Sequence, residues 1–286
     1  MTKASVQHVY IEKIEGEEKS YKADLVACEE PLEIRLGFGS AHNRMQKSIS
    51  VTMRTPGNDF ELAAGFLYTE GIIQHASDIN TIKYCTEANT IENKENIVRV
   101  ELNENVNLDF TKLQRNFYTT SSCGVCGKES IDAVKTVCPF PLQKHELKIP
   151  KNTILQLPEI LRKQQSVFEY TGGIHAAALF NAQGELLLLR EDVGRHNAVD
   201  KIAGAVLSGN TLIEMPLRNF ILLLSGRASF ELIQKAVMCG IGLVCAVGAP
   251  SSLAVEMAKE SGITLIGFLR PNRFNIYCNS EIISDL

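Results

Sequence analysis

The chain has 286 residues, 45% of them hydrophobic and 22% charged, a balance that supports a substantial core and excludes a disordered chain. Its 29 basic and 33 acidic residues leave a net charge of −4, which argues against a dedicated nucleic-acid binder, since that needs a basic face to displace counterions from phosphate. The apolar run Ile241 to Ala249 falls far short of the roughly 20 residues that span a bilayer, and Met1 to Ser20 lacks the apolar segment of a secretory signal. A cytoplasmic protein without membrane association is expected.

The first hundred residues read as short strands with polar edges: Val6–Ile14, Leu32–Phe38, Lys47–Met53, Ile79–Cys85 and Ile97–Leu102. One helix interrupts them. Asn58 stands at its N-cap, Glu61 three residues on suggests a capping box, Leu62, Ala63, Phe66 and Leu67 form an apolar face, and Gly71 ends it. Residues 1–110 are thus expected to form a small N-terminal α+β domain. Residues 111–150 read as a linker. It holds a small, glycine-broken loop from Thr119 to Lys128, which contains Cys123-Gly124-Val125-Cys126, and a short helix from Glu129 to Val137, stopped by Pro139 and Pro141.

Residues 151–286 alternate strands and helices. A helix from Asn152 to Gln164 carries Pro158, which is expected to kink or divide it. Ala176–Phe180, a turn at Asn181–Gly184, and Glu185–Arg190 form a hairpin signal. A helix over Asn197–Leu207, a buried strand over Phe220–Leu224, a Ser229-capped helix, a strand over Leu243–Val247, a helix from Ser251 to about Glu260 and a strand over Ile263–Leu269 follow. Cys239 to Ala258 contains one charged residue, Glu256. A strand and helix that apolar belong in the middle of a sheet covered on both faces, so the C-terminal half is expected to be a three-layer α/β/α domain.

Eight cysteines are too few for a disulfide scaffold of this length. Cys28, Cys85, Cys138, Cys239, Cys245 and Cys278 sit singly among apolar or strand-like neighbours and read as small buried hydrophobes. Cys123 and Cys126 differ. A Cys-x-x-Cys opening a helix has amides and a macrodipole that stabilise a thiolate, and Lys128 adds positive charge. Three readings fit the spacing: a redox dithiol, half of a zinc site completed by Cys138 and His145, or a loop that carries sulfur.

Further polar groups gather at predicted strand ends, where α/β folds place ligand sites. Thr171-Gly172-Gly173-Ile174-His175 precedes an apolar run, and His175 reads either as a hydrogen-bonded structural group or as part of a site. Arg190-Glu191-Asp192-Val193-Gly194-Arg195-His196-Asn197 is a dense charged stretch, either a solvated turn or a ligand corner. Ser225-Gly226-Arg227 follows a buried strand and precedes a helix, a ready anion-binding corner. Phe268-Leu269-Arg270-Pro271-Asn272-Arg273 ends the last core strand with two arginines, whose forks suit phosphates, while Phe268 or Phe274 suits stacking on a ring. Together they point to one pocket for a phosphorylated, heterocyclic ligand. Neither a Walker-type phosphate loop nor Gly-x-Gly-x-x-Gly occurs, which argues against an ATPase or an NAD enzyme.

Ser122–Gly127, Gly172–Ala176, Glu191–Lys201, Leu224–Arg227 and Gly267–Arg270, in that order, resemble the formate dehydrogenase accessory sulfurtransferase family, FdhD, from about Val26 to Tyr277. The resemblance implies a cytoplasmic sulfurtransferase and chaperone that takes sulfur from a cysteine desulfurase. It would pass this sulfur to the bis(molybdopterin guanine dinucleotide) molybdenum or tungsten cofactor destined for formate dehydrogenase. It implies Cys123 as the persulfide carrier, Cys126 as its partner, Phe268–Arg273 as a segment that meets the cofactor and its guanine-nucleotide moiety, a homodimer, and a C-terminal domain of cytidine-deaminase-like fold. No permanent cofactor and no resident metal are expected. Zinc deaminases place His-x-Glu and Pro-Cys-x-x-Cys at two helix starts; the corresponding starts here, His196-Asn197-Ala198 and Ala228-Ser229-Phe230-Glu231, lack the glutamate and both cysteines, so deamination is not expected. The alternative is a non-catalytic cofactor-insertion protein whose cysteine pair binds zinc or is redox-active.

Overall fold

The computed structural model describes residues 4–85, 95–106, 108, 140, 148–209 and 211–286. The Cys123–Cys126 loop, the helix expected at 129–137, Cys138 and His145 lie outside the described residues.

The chain opens with a two-stranded antiparallel hairpin, β1 (Val6–Glu15) and β2 (Glu18–Ala27), turning at Gly16, whose φ of 64° suits glycine. Only its first strand is visible as a pattern, because β2 reads Glu-Lys-Ser-Tyr-Lys-Ala-Asp and offers no apolar alternation. A four-stranded sheet follows, ordered β4 (Met45–Arg54), β3 (Glu30–Phe38), β6 (Ile97–Leu102), β5 (Ile79–Tyr84). The inward residues Leu32, Ile34, Leu36, Val98 and Val100 are buried against α1 (Asp59–Thr69) and the layer behind it.

The start of α1 departs from the expected capping box. Asn58 takes a left-handed conformation and makes no side-chain cap. Asp59 is drawn into a buried two-pronged pair with Arg54 at 3.0 and 2.8 Å, and Glu61 reaches across to Arg190, 129 residues away, at 2.8 Å. Long-range arginine partners outcompete the local cap, since a bidentate charged pair is stronger than a neutral one. The other end behaves as expected: Gly71, at φ 70°, closes it while Ile72 N–H donates to Leu67 O at 2.8 Å.

The second half contains β7 (Ile149–Pro150), α2 (Lys151–Gln164), α3 (Ser166–Thr171), β8 (His175–Phe180), β9 (Leu186–Asp192), α4 (Arg195–Leu207), β10 (Ile221–Leu224), α5 (Phe230–Met238), β11 (Leu243–Ala246), α6 (Ser252–Glu260), β12 (Thr264–Arg270), β13 (Arg273–Cys278) and β14 (Ile283–Ser284). Pro158 is accommodated within an undivided α2. Six strands form one sheet in the order β13-β12-β11-β10-β8-β9, with β10, β11 and β12 parallel and β8, β9 and β13 joined antiparallel.

Side chains alternate across this sheet, as the strand period requires. Ala176, Ala178, Phe180, Ile221, Leu223, Leu243 and Cys245 pack toward Ile154, Leu157 and Leu161 of α2. Ala177, Leu179, Leu222, Leu224, Val244 and Ala246 pack toward α4, α5 and α6. The mixed α/β, three-layer arrangement follows from burial on both faces.

The two sheets share one apolar core through the crossing of α1 and α4. There the backbones touch. A Cβ on Gly65 would stand 1.8 Å from Asp200 O, and one on Gly204 1.8 Å from Glu61 O, so each glycine is required by the approach of the other helix. No described helix is long and apolar enough to cross a membrane.

Candidate functional site

The strand directions fix where chemistry gathers. The carboxyl ends of β9, β10, β11 and β12 and the amino ends of β8 and β13 all emerge on one edge of the six-stranded sheet. The helices α4, α5 and α6 each begin at that edge, so their N-terminal amides and positive dipole ends point to it. Their starts differ in detail. Ser251 caps α6 by accepting from Ala254 N–H at 3.3 Å, whereas Ser229 occupies the N-cap of α5 without capping it and places its hydroxyl 3.4 Å from His196 Nε2.

The charged stretch before α4 divides into frame and face. Asp192 is fully buried and holds the turn. It receives Gly194 N–H at 2.8 Å, Asn197 Nδ2 at 2.9 Å and Thr55 N–H at 3.2 Å, and its carboxylate lies 2.7 Å from Lys201 Nζ. Glu191 receives the N–H groups of Val167 and Phe168 at 3.0 and 2.9 Å. This scaffold sets Arg195 and His196 at the edge. His196 is 8% exposed and lies 3.5 Å from Glu231 Oε2. Burial opposes ionisation of Glu231, but hydrogen bonds from His196, from Ser229 and from its own backbone N–H hold its carboxyl at about 2.

His175, the first residue of β8, faces Gly226; a Cβ there would stand 3.2 Å from His175 Nδ1. Burial, then the charges of Arg195 and His196, lower the pKa of His175 against the opposing pull of Asp192. Ser225 is used by the sheet: its N–H donates to Ala176 O at 3.0 Å and its hydroxyl accepts from Ala176 N–H at 2.8 Å. A chain of backbone bonds then steps across the edge. Gly248 N–H donates to Gly226 O at 2.8 Å, and Phe268 N–H donates to Gly248 O at 3.0 Å. Gly248, which the sequence alone did not single out, is needed because a Cβ would stand 2.9 Å from the Arg227 backbone.

The Phe268–Arg273 segment also divides. Phe268 is 42% exposed and sits at φ 52°, a conformation rare for an aromatic residue. Leu269 is fully buried in the core on the α2 side, so it sets the strand and presents no side chain to a ligand. Arg270 donates from Nη1 to Val247 O at 2.7 Å and to Leu269 O at 2.8 Å, while Pro271 and Asn272 form an exposed turn into β13, which exposed Arg273 opens. The segments after β10 and β12 lie two strand spacings apart, roughly 10 Å. Arg195, Arg227, Arg270 and Arg273 thus share one edge with three helix starts, and the carboxylates there (Glu191, Asp192, Glu231) are engaged by protein partners. This arrangement can bind a polyanion.

The described cysteines bear out the reading as small hydrophobes. Cys85, Cys239, Cys245 and Cys278 are buried, Cys28 is half-buried, and all five are free thiols. Burial pushes the Cys239 thiol up to about 12 and also raises Cys28, Cys245 and Cys278. Among the described residues no group of three or more His, Cys, Asp or Glu side chains could hold a metal ion.

Three comparisons bear on this arrangement. A family model described as FdhD/NarQ family matches residues 27–284. Proteins named sulfur carrier protein FdhD are similar along most of their length: that of Mycolicibacterium paratuberculosis is 50% identical over 92% of this chain and 93% of its own. Those of Streptomyces coelicolor, at 48% over 93% and 91%, and of Saccharolobus solfataricus, at 44% over 93% of each, agree. A crystal structure of a putative formate dehydrogenase accessory protein from Desulfotalea psychrophila superimposes with a TM-score of 0.71 over 98% of this chain and 100% of that one. At 24% identity that likeness concerns the fold.

Proposed function

Because the chain belongs to the FdhD/NarQ family, we propose that it is a cytoplasmic sulfur carrier that brings sulfane sulfur to the bis(molybdopterin guanine dinucleotide) cofactor of formate dehydrogenase. The observation that carries this reading is the convergence of Arg195, Arg227, Arg270 and Arg273 with the starts of α4, α5 and α6 on one sheet edge. Guanidinium forks and helix amides are suited to the pyrophosphate of a nucleotide arm, and exposed Phe268 to a purine face.

Cys123 is the transfer thiol of this reading, with Cys126 as its partner; Cys28, Cys239, Cys245 and Cys278 are poorer nucleophiles because burial raises their pKa. Its thiolate attacks the terminal sulfur of a desulfurase persulfide. A Cys123–sulfur bond forms, the donor's sulfur–sulfur bond breaks, and the donor leaves as a thiolate. Delivery needs the sulfur as sulfide. Attack of Cys126 on the inner sulfur releases it toward the metal and closes a Cys123–Cys126 disulfide, so its two electrons come from the two cysteines, and a cellular dithiol reopens the pair. The six-stranded sheet fits a cytidine-deaminase-like fold, with a β8–β9 hairpin beside three parallel strands. His196 and Ser229–Glu231 occupy the two helix starts, and the sequence there lacks the zinc ligands of a deaminase.

The test is sulfur loading. Incubated with a cysteine desulfurase and labelled cysteine, the protein gains one sulfur on the peptide containing Cys123, and Cys123→Ala abolishes the gain. An undiminished gain in Cys123→Ala, or one tightly held zinc per chain that disappears in Cys126→Ser, would overturn the proposal in favour of a passive cofactor-insertion protein.

A further inference from the structure

His175 offers a hydrogen-bonding group that the fold does not use. As the first residue of β8 it stands opposite Asp192 on β9 and alternates with Ala177 and Leu179, so its ring lies on the sheet face that α4 and α5 cover. The ring sits against Gly226, where a Cβ would stand 3.2 Å from Nδ1 and 3.4 Å from Cε1. It is half-buried, yet among the described residues neither ring nitrogen has a hydrogen-bond partner. Polar groups withdrawn from bulk water normally have one.

The surrounding charges say what kind of partner fits. Arg195 and His196 open α4, and Arg227 follows Gly226. The nearby carboxylates are already held, Asp192 by Lys201 at 2.7 Å and Glu231 by hydrogen bonds from His196 and Ser229. Burial, then the charges of Arg195 and His196, favour the neutral imidazole, and Asp192 opposes them. An anion seated here reverses that balance, because it offsets the cations and accepts a hydrogen bond from a protonated ring.

We propose that His175 takes up a proton when a pyrophosphate diester docks at this edge and, as the imidazolium, donates a charge-assisted hydrogen bond to a phosphate oxygen. The proton comes from solvent and stays on the ring, and no covalent bond changes. Docking thus raises the pKa of His175 above its value in the free protein. Affinity is highest below the free value, falls as pH rises through the interval between the two, and is level above the bound value. The inference rests on the pyrophosphate reading of the edge and adds the group that couples it to pH.

The probe is GDP-mannose, whose two phosphates are both esterified and do not titrate near neutrality, so a pH dependence belongs to the protein. In calorimetry on the whole chain, binding weakens about fivefold from about pH 6 to about pH 8, and at about pH 7 the heat differs between buffers of unequal ionisation enthalpy, which reports proton uptake. His175→Gln still binds but loses both signatures, whereas His196→Gln keeps them. A second readout uses the wild type alone: in histidine NMR the His175 ring titrates at higher pH with GDP-mannose than without it. Binding without proton uptake, uptake that survives His175→Gln, or a His175 titration unmoved by the ligand would overturn this inference and leave the pyrophosphate reading standing. A wild-type chain that fails to bind GDP-mannose at every pH would overturn both.

Discussion

The start of α4 and its middle are one helical turn apart and do opposite things with charge. At the start, Arg195 and His196 stand at the sheet edge with exposed Arg227, Arg270 and Arg273 nearby. In the middle, Asp200 and Lys201 are buried and matched: Asp200 with Lys235 at 2.9 Å and Thr69 at 2.6 Å, Lys201 with Asp192 and the carbonyl of Thr55 at 3.0 Å. The charges themselves are alike; what separates the exposed arginines from Asp200 and Lys201 is burial beside an opposite charge. A buried charge is tolerated when paired and costly when its partner is removed, while an exposed one contributes little to stability.

That contrast can be broken or sharpened in four ways. Lys201→Met leaves the Asp192 carboxylate buried without its cation and should cost about 4 kcal/mol in chemical denaturation; a loss under about 1 kcal/mol would show that the pair does not hold the frame. Gly65→Ala or Gly204→Ala forces apart backbones that touch, and each should lower stability by about 3 kcal/mol, read as a fall in Tm. Arg227→Ala should leave stability within about 0.5 kcal/mol yet weaken binding of guanosine diphosphate about tenfold by calorimetry. A variant that instead melts early would place Arg227 with the frame. The smallest effect is at Glu231. Its folded value of about 2 lies below the ordinary carboxylate value of about 4.3. Its contribution is therefore present above about pH 4.3 and lost as pH falls through about 2. The stability gap between wild type and Glu231→Gln should persist at about pH 5 and shrink progressively toward about pH 2.

Elements whose cause is local were legible in the sequence. The apolar runs of β10 and β11, the three- and four-residue steps of α5, and the Asn181–Gly184 turn, in which Asn181 Oδ1 accepts Gln183 and Glu185 N–H at 3.0 and 2.9 Å, all carry their own signal. The edge was legible too, because strand ends can be found from strand directions. What failed was non-local. Glu61 reads as a capping residue until Arg190 is brought beside it, and Ser229 reads as a cap until His196 arrives. Leu269 sits within a segment of exposed residues, but strand alternation turns it into the core. Gly65 and Gly204 look like tolerated small residues, since nothing in either helix shows that the other will lie against it.

The burial of the described cysteines bears on fidelity. Sulfane sulfur migrates readily between accessible thiolates, so a carrier studded with reactive cysteines would scramble its cargo among them. Here Cys85, Cys239, Cys245 and Cys278 are walled off by packing and Cys28 is half-covered with a raised pKa. On the proposed sulfur-carrier reading each is a dead end for a wandering sulfur atom, and burial likewise shields Cys85, Cys239, Cys245 and Cys278 from peroxide and alkylating agents.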